Sequence, residues 1–96
     1  MPHYIVMANW TEHGVKNVKD SPSRLDAARA MAKKLGCTVG DFYMVAGAAD
    51  MVILAEAPDD ATMATFNLNL ARGGNLRTTT MKAFTEAEYR KIIAAL

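Results

Sequence analysis

Two cations on either side of a proline are the first candidates for a binding site. Lys19 and Arg24 flank Pro22, which has no amide to bond the carbonyl of Val18, so a helix through this point must bend or break. Amides freed by such a break, together with an ammonium and a guanidinium group, can hold a carboxylate or a phosphate. The alternative is that both cations are solvated or ion-paired surface charges.

Three further residues are candidates for the wall or mouth of a pocket. Arg77 lies in a threonine-rich run that could share a polar ligand with it. Asp50 opens a predicted strand directly after a turn, so its carboxylate either bonds nearby backbone amides or faces a pocket. The indole of Trp10 belongs to the core or forms a pocket wall. The candidate ligand-binding residues are therefore Trp10, Lys19, Arg24, Asp50 and Arg77.

Residue types suited to catalysis or metal binding are scarce. Two histidines and one cysteine without paired spacing cannot build a closed zinc site within one chain. A general-base role for His3 would need an orienting acid that the spacing does not reveal. Cys37 follows a predicted helix C-terminus, which disfavours a thiolate, so we expect a small buried or half-buried residue rather than a nucleophile. We therefore predict no metal and no cofactor, and the catalytic residues, if any, stay unknown.

Composition narrows the class of protein. The 96 residues have room for one domain, 1–96, and half of them are hydrophobic, as in ordinary globular chains. A formal charge of +1 supplies no basic field for nucleic acid. No apolar run approaches the ~20 residues that span a bilayer. The first residues lack a signal-peptide pattern, and the single cysteine cannot form an internal disulfide, so we expect a cytoplasmic protein that binds neither nucleic acid nor membrane.

Four strands are predicted to position these residues. They are His3 to Trp10, Thr38 to Met44, Asp50 to Ala57 and Leu76 to Phe84. The second and third form a hairpin through Gly47-Ala48-Ala49-Asp50, where Gly47 is expected to adopt a positive backbone angle or to allow a close approach. The first and third strands are apolar on both faces, so the sheet must be covered on each of its two sides.

Helices are predicted between the strands. Residues from Val15 to Leu35 keep one apolar helical phase, with a bend or break at Asp20-Ser21-Pro22 and an end at Gly36. A second helix runs from Ala61 to about Leu70, and Thr85-Glu86-Ala87-Glu88 is a capping box for a short last helix.

The order strand, helix, strand, strand, helix, strand predicts an α+β, ferredoxin-like βαββαβ fold. Its four-stranded antiparallel sheet carries both long helices on one face, and a further helix follows. The other face would be bare although its strands are apolar there. We therefore expect a homo-oligomer, most simply a dimer whose sheets stack into a barrel-like core.

Several motifs resemble one family, the GYD-domain proteins. They are Asn9-Trp10-Thr11, Gly14, Asn17 to Arg24, Gly47 to Asp50, Glu56 to Asp60, Gly74 to Thr80 and Ala83-Phe84-Thr85. The resemblance implies a ferredoxin-like fold of the dimeric alpha-beta barrel type and little chemistry. The Gly-x-Tyr-Asp that names the family stands here as Gly47-Ala48-Ala49-Asp50, without its aromatic residue.

The leading functional hypothesis is a small homo-oligomeric module that binds a small molecule or serves a regulatory or accessory role. Its pocket would lie between helices and sheet. One rival is a small enzyme of the same barrel type, such as a cofactor-free monooxygenase, a haem-binding enzyme or an isomerase, by analogy of fold alone. Another is a structural assembly unit.

Overall fold

Strand β1, His3–Trp10, lies inside the sheet with a neighbour on each side. The computed structural model describes residues 1–96. Along β1, Tyr4, Val6 and Ala8 are buried and alternate with residues that are only partly covered. One face of β1 therefore meets the core of the chain, and the other does not.

The sheet has four antiparallel strands in the order β2-β3-β1-β4. Strand β2 is Thr38–Met44, β3 is Met51–Glu56 and β4 is Leu76–Ala83. Two crossovers, each containing a long helix, connect β1 to β2 and β3 to β4. The predicted ferredoxin-like α+β fold is confirmed, and the strand bounds differ from the prediction by one residue at the ends of β3 and β4.

The first crossover is divided as the proline predicts. Helix α1, Glu12–Lys16, is followed by a 3-10 turn, Val18–Asp20, and by α2, Ser21–Leu35, with Pro22 in its first turn. Gly36, at φ 85°, ends α2. The predicted continuous apolar face is wrong before the break, because the chain turns there and leaves Val15 and Val18 exposed.

The second crossover contains α3, Asp60–Arg72, and the last helix, α4, is Glu86–Ala94. Both begin at capping residues: Asp59 accepts a hydrogen bond from the Thr62 amide, and Thr85 and Glu88 form the predicted capping box. Helix α3 is about one turn longer than predicted, because it begins one residue earlier, at Asp60, and its helical backbone continues past Leu70 to the Gly73 cap.

The core lies between α2, α3 and one face of the sheet. Its buried cluster comprises Tyr4, Val6, Ala32, Cys37, Ile53, Ala55, Ala57, Met63 and Phe66. Burial raises the pKa of the Cys37 thiol, so this residue is a neutral part of the core at physiological pH. The sequence-based prediction for Cys37 is confirmed.

The side of the sheet away from α2 and α3, here called the open face, has no such cover. It carries Ile5, Met7, Val52, Leu54 and Met81, with Tyr43 at its edge. Leu54, Met81 and Tyr43 are 39%, 44% and 56% exposed. Helix α4 does not cover this face, since every residue of α4 is itself exposed.

Candidate functional site

A cavity of about 250 Å³, here called the helix–sheet cavity, lies between α2, α3 and the covered face of the sheet. Eleven of its fourteen lining residues are hydrophobic, among them Leu25, Met31, Phe42, Ile53 and Phe66. Helix α2 contributes Ala27 and Ala28 to the wall. These short side chains leave room beneath the helix that a larger residue would fill, so the space suits a small apolar group.

Arg24 borders this cavity as one of its few polar lining residues. Its guanidinium donates hydrogen bonds to the carbonyl oxygens of Gly14 at 3.1 Å and Asn17 at 3.2 Å, at the end of α1. A guanidinium has five N–H donors, so two bonds fix its position while others remain. Arg24 therefore joins α1 to α2 and places a fixed positive charge beside an apolar space.

Asp50 ties the β2–β3 turn to the end of β1. Its carboxylate accepts a hydrogen bond from the backbone amide of Trp10 at 3.0 Å. Its own amide donates to the carbonyl of Ala8 and to the side chain of Asn9. The carboxylate does bond a backbone amide, but that amide lies 40 residues away in the sequence rather than within the turn.

Trp10 is half-buried on the covered side of the sheet and connects β1 to α2. Its indole Nε1 donates to the hydroxyl of Ser21, the first residue of α2, at 3.4 Å. Ser21 in turn lines the helix–sheet cavity. Trp10 and Asp50 therefore position the wall of the cavity near Arg24 and are not among its lining residues.

The remaining two candidate residues lie apart from this cavity. Lys19 is exposed on the 3-10 turn before α2. Arg77 on β4 is opposite Asn9 of β1, which places it on the open face of the sheet. The five candidates therefore do not surround one ligand: Arg24 borders the cavity, Trp10 and Asp50 support it, and Lys19 and Arg77 are on the surface.

The positive φ or close approach expected at Gly47 is wrong, and a close approach of two backbone segments occurs at Gly14 instead. Gly47 does not have a positive φ, and a Cβ built on it meets nothing within 4 Å. A Cβ on Gly14 would lie 2.1 Å from the carbonyl oxygen of Asn75. The close approach is therefore between α1 and the loop before β4, where Thr11 N also donates to Asn75 O at 3.0 Å.

Sequence reasoning missed a histidine–carboxylate pair on the open face. His3 Nε2 lies 2.8 Å from Glu56 Oε1, and the two residues are direct partners in the β1–β3 register. Glu56 supplies the acid that the sequence spacing did not reveal. The signal was available in principle, because pairing the start of β1 with the end of an antiparallel β3 brings these residues together.

This pair belongs to a second, wider cavity of about 470 Å³ across the open face, here called the sheet trough. Ile5, Leu54 and Phe84 supply apolar surface there. Strand β2 is irregular at this point: Gly40 and Asp41 together face Leu54, since Val39 pairs with Ala55 and Phe42 with Ile53. This bulge brings Asp41 to the wall of the trough.

Tyr4 has an unusual electrostatic setting at the start of α3. Its hydroxyl donates a hydrogen bond to the carboxylate of Asp60. That bond, followed by burial and the negative charge of Asp60, raises the pKa of Tyr4 to about 12. Tyr4 is therefore a neutral donor at physiological pH, and the bond joins β1 to α3.

The comparison with protein families identifies the chain. A family model described as GYD domain matches residues 4–93. The chain belongs to the GYD family. The match includes every strand and helix described above except the first residue of β1 and the last residue of α4, so the fold and the family cover the same segment.

One protein of similar sequence comes from Thermus thermophilus and is named glutamine synthetase and cystathionine beta-lyase binding protein. It is 33% identical to this GYD chain over 89 residues, covering 92% of our chain and 94% of the relative. The crystal structure of MtbAldR is similar in fold, with a TM-score of 0.68 over 88% of our chain at 16% identity. Our chain spans 52% of that longer chain.

The GYD motif itself lies in the β2–β3 turn. Ala49, at the position of the family's tyrosine, is buried, and Asp50 makes the bonds to β1 described above. The turn is therefore closed by Asp50, with alanine at the position of the aromatic residue. None of the helices is both long and apolar enough to cross a membrane.

Proposed function

We propose that this GYD protein is a small, self-associating accessory or regulatory module of the cytoplasm that binds a compact apolar carboxylate in its helix–sheet cavity. The observation that carries the proposal is the cavity itself: an apolar space of about 250 Å³ with one fixed guanidinium on its border. The name of the Thermus thermophilus relative, a binding protein, supports an accessory role.

The chemistry of the lining selects the class of ligand. Hydrophobic side chains favour an apolar body, and the guanidinium of Arg24 favours a carboxylate at one end. Asn75, another lining residue, offers a neutral hydrogen-bonding group. A short fatty acid or an arylacetic acid has this combination, whereas a polyphosphate does not.

The other candidate residues have supporting parts in this proposal. Trp10 and Asp50 hold the end of β1 against the first turn of α2, which keeps Arg24 in place. Lys19, exposed before α2, adds positive potential on the approach to the cavity. Arg77 lies on the open face and acts in subunit contacts rather than at the ligand.

The open face of the sheet supports the proposed self-association. Ile5, Met7, Val52 and Leu54 lie side by side on the two central strands, with no helix over them. A contiguous apolar surface of this kind is a contact surface in most proteins. Two copies that stack their open faces would form the barrel-like dimer, and sedimentation at micromolar concentration measures it.

Ligand binding is tested by thermal unfolding with octanoate, phenylacetate and the uncharged octanol. We expect the carboxylates to raise the unfolding temperature and octanol to do so less. Ala28→Leu fills the cavity from α2 and should abolish the response while the protein stays folded; Ala30→Leu, on the exposed side of the same helix, is the matched control.

Arg24→Gln separates the roles of charge and cavity. It should reduce the response to the carboxylates to that of octanol, since the apolar walls are unchanged. Equal responses of wild type and Ala28→Leu, or no response to any of the three probes, would contradict the ligand proposal.

The relative's name favours a second candidate function, the binding of metabolic enzymes. The identity of 33% extends over nearly the full length of both chains, so a shared partner class is a reasonable proposal. Sedimentation of the protein with purified glutamine synthetase and with cystathionine beta-lyase tests it. Co-migration with either enzyme supports this function, and independent migration at micromolar concentrations opposes it.

A further inference from the structure

Helix α4 is amphipathic, and the side chains on its apolar side are exposed. Tyr89, Ile92 and Ile93, with Leu96 just beyond the helix, recur at the spacing of one helical face and are between 45% and 96% exposed. We call these four residues the α4 stripe. An isolated helix of nine residues is marginal in water, so this stripe calls for a partner surface.

The start of α4 is nevertheless well defined. Thr85 and Glu88 form both bonds of a capping box, and Arg90 bonds Glu86 one turn earlier at 2.9 Å. These local interactions hold a helix whose apolar side is free. Helix α4 is therefore suited to contact a surface other than the core of its own chain.

The sheet trough matches α4 in length. It is lined by residues from all four strands, from Thr38 on β2 to Ala83 on β4. Neighbouring strands are about 4.8 Å apart, so the trough crosses roughly 14 Å of sheet. At about 1.5 Å per residue, the nine residues of α4 are roughly 13 Å long.

We propose that the α4 stripe of each copy lies in the sheet trough of a second copy, so that two chains exchange this helix. The inference rests on the self-association proposed above and names the contact that completes it. Phe84 and Thr85, which lead directly into α4, line the trough of their own chain. The helix therefore leaves its own chain beside the surface that it covers on the other.

The area of the open face supports an exchanged helix. Four strands of six to eight residues present a flat area of roughly 19 by 24 Å, or about 460 Å². A stable interface buries about 800 Å² on each partner. The sheet face alone falls short of this, and α4 with the trough of the partner supplies further apolar surface on both copies.

The sheet and the α4 helix of one copy are also of similar thickness, so both can lie on the open face of the other copy. A sheet stacked on another sheet lies about 10 Å above it, and a helix has a diameter of about 10 Å. One partner can therefore place its sheet over Met7 and Val52 and its α4 over the trough at the His3 end. The pairing of His3 with Glu56 gives the carboxylate a partner under this cover.

Sedimentation equilibrium of paired variants tests the exchange. Ile93→Lys places a charge in the α4 stripe, and Ala94→Lys places the same charge on the other side of the exposed helix. We expect Ile93→Lys to weaken dimerisation at least about tenfold and Ala94→Lys to leave it within about threefold. Leu54→Lys in the trough should weaken it as Ile93→Lys does.

Disulfide formation identifies which copy holds the helix. Copies carrying Ile93→Cys are mixed under oxidising conditions with copies carrying Leu54→Cys, and we expect a covalent dimer of one copy of each kind. The native Cys37 is buried and does not compete. A double variant that forms its disulfide within a single chain would show that α4 folds back on its own trough and would overturn the exchange.

The outcomes separate this inference from the proposed function. If Leu54→Lys weakens the dimer and Ile93→Lys does not, self-association through the open face is supported and the helix exchange is overturned. A wild-type monomer at micromolar concentration overturns both, whereas ligand binding in the helix–sheet cavity is measured independently.

Discussion

The contact between α1 and the loop before β4 gives the sharpest prediction of stability. A Cβ on Gly14 would lie 2.1 Å from the Asn75 carbonyl oxygen, and real Cβ atoms essentially never come within 3.0 Å of another atom. In Gly14→Ala the two backbone segments must therefore separate by about 0.9 Å. The obstacle is backbone on both sides, so no side-chain rotation relieves it.

The loss of stability has two parts. Overpacking of this kind costs about 1–3 kcal/mol. The separation also strains the bond from Thr11 N to Asn75 O, and a lost hydrogen bond costs about 1 kcal/mol. We expect Gly14→Ala to lower the free energy of unfolding by about 3 kcal/mol, a large part of the roughly 5–14 kcal/mol available to a chain of this length.

Denaturant and thermal unfolding measure the effect. A loss of about 3 kcal/mol should lower the unfolding temperature by about 12–24 °C in a domain of this size. Gly47→Ala is the matched control, because nothing lies within 4 Å of its added Cβ and its φ is not positive. We expect the control to be neutral or up to about 1 kcal/mol more stable. A Gly14→Ala protein as stable as Gly47→Ala would refute the close approach.

Three other substitutions test the contacts that hold the site. Asp50→Ala removes the acceptor of the Trp10 amide and should cost about 2 kcal/mol in urea unfolding, whereas Asp50→Asn keeps an acceptor and should cost less. The hydrogen bond from Tyr4 to Asp60 raises the pKa of Tyr4 and stabilises the folded protein. This stabilisation is complete below pH 10.0 and should disappear as the pH rises towards about 12. Unfolding measured against pH should show this loss in wild type and not in Tyr4→Phe; identical profiles would count against the Asp60 bond. Thr85→Ala should cost about 1 kcal/mol of helix stability, seen as faster amide exchange in α4, with α3 unchanged as an internal reference.

The sequence was sufficient for the elements and their order. The run of apolar residues in β1, the capping box at Thr85 and the break before Pro22 depend on neighbours a few residues away. Local steric and hydrogen-bonding rules therefore predicted them correctly. The same local rules failed at Gly47, because neither the positive φ nor the close approach expected of a turn glycine occurs there.

The candidate site depended on contacts between distant parts of the chain. Local reasoning singled out Arg24 and Asp50 as residue types, but it could not show that one bonds the end of α1 and the other the end of β1. The pairing of His3 with Glu56 depends on strand register, and the cavity beneath α2 depends on how far the helix stands from the sheet.

The sequence by itself determined which segments become strands and helices and which of their faces are apolar, since both follow from the order of side chains along the backbone. Only the tertiary structure decided which apolar faces meet within one chain. It left the open face and α4 uncovered and placed Arg24 beside a cavity. These outcomes depend on distances between residues far apart in sequence, which periodicity does not contain.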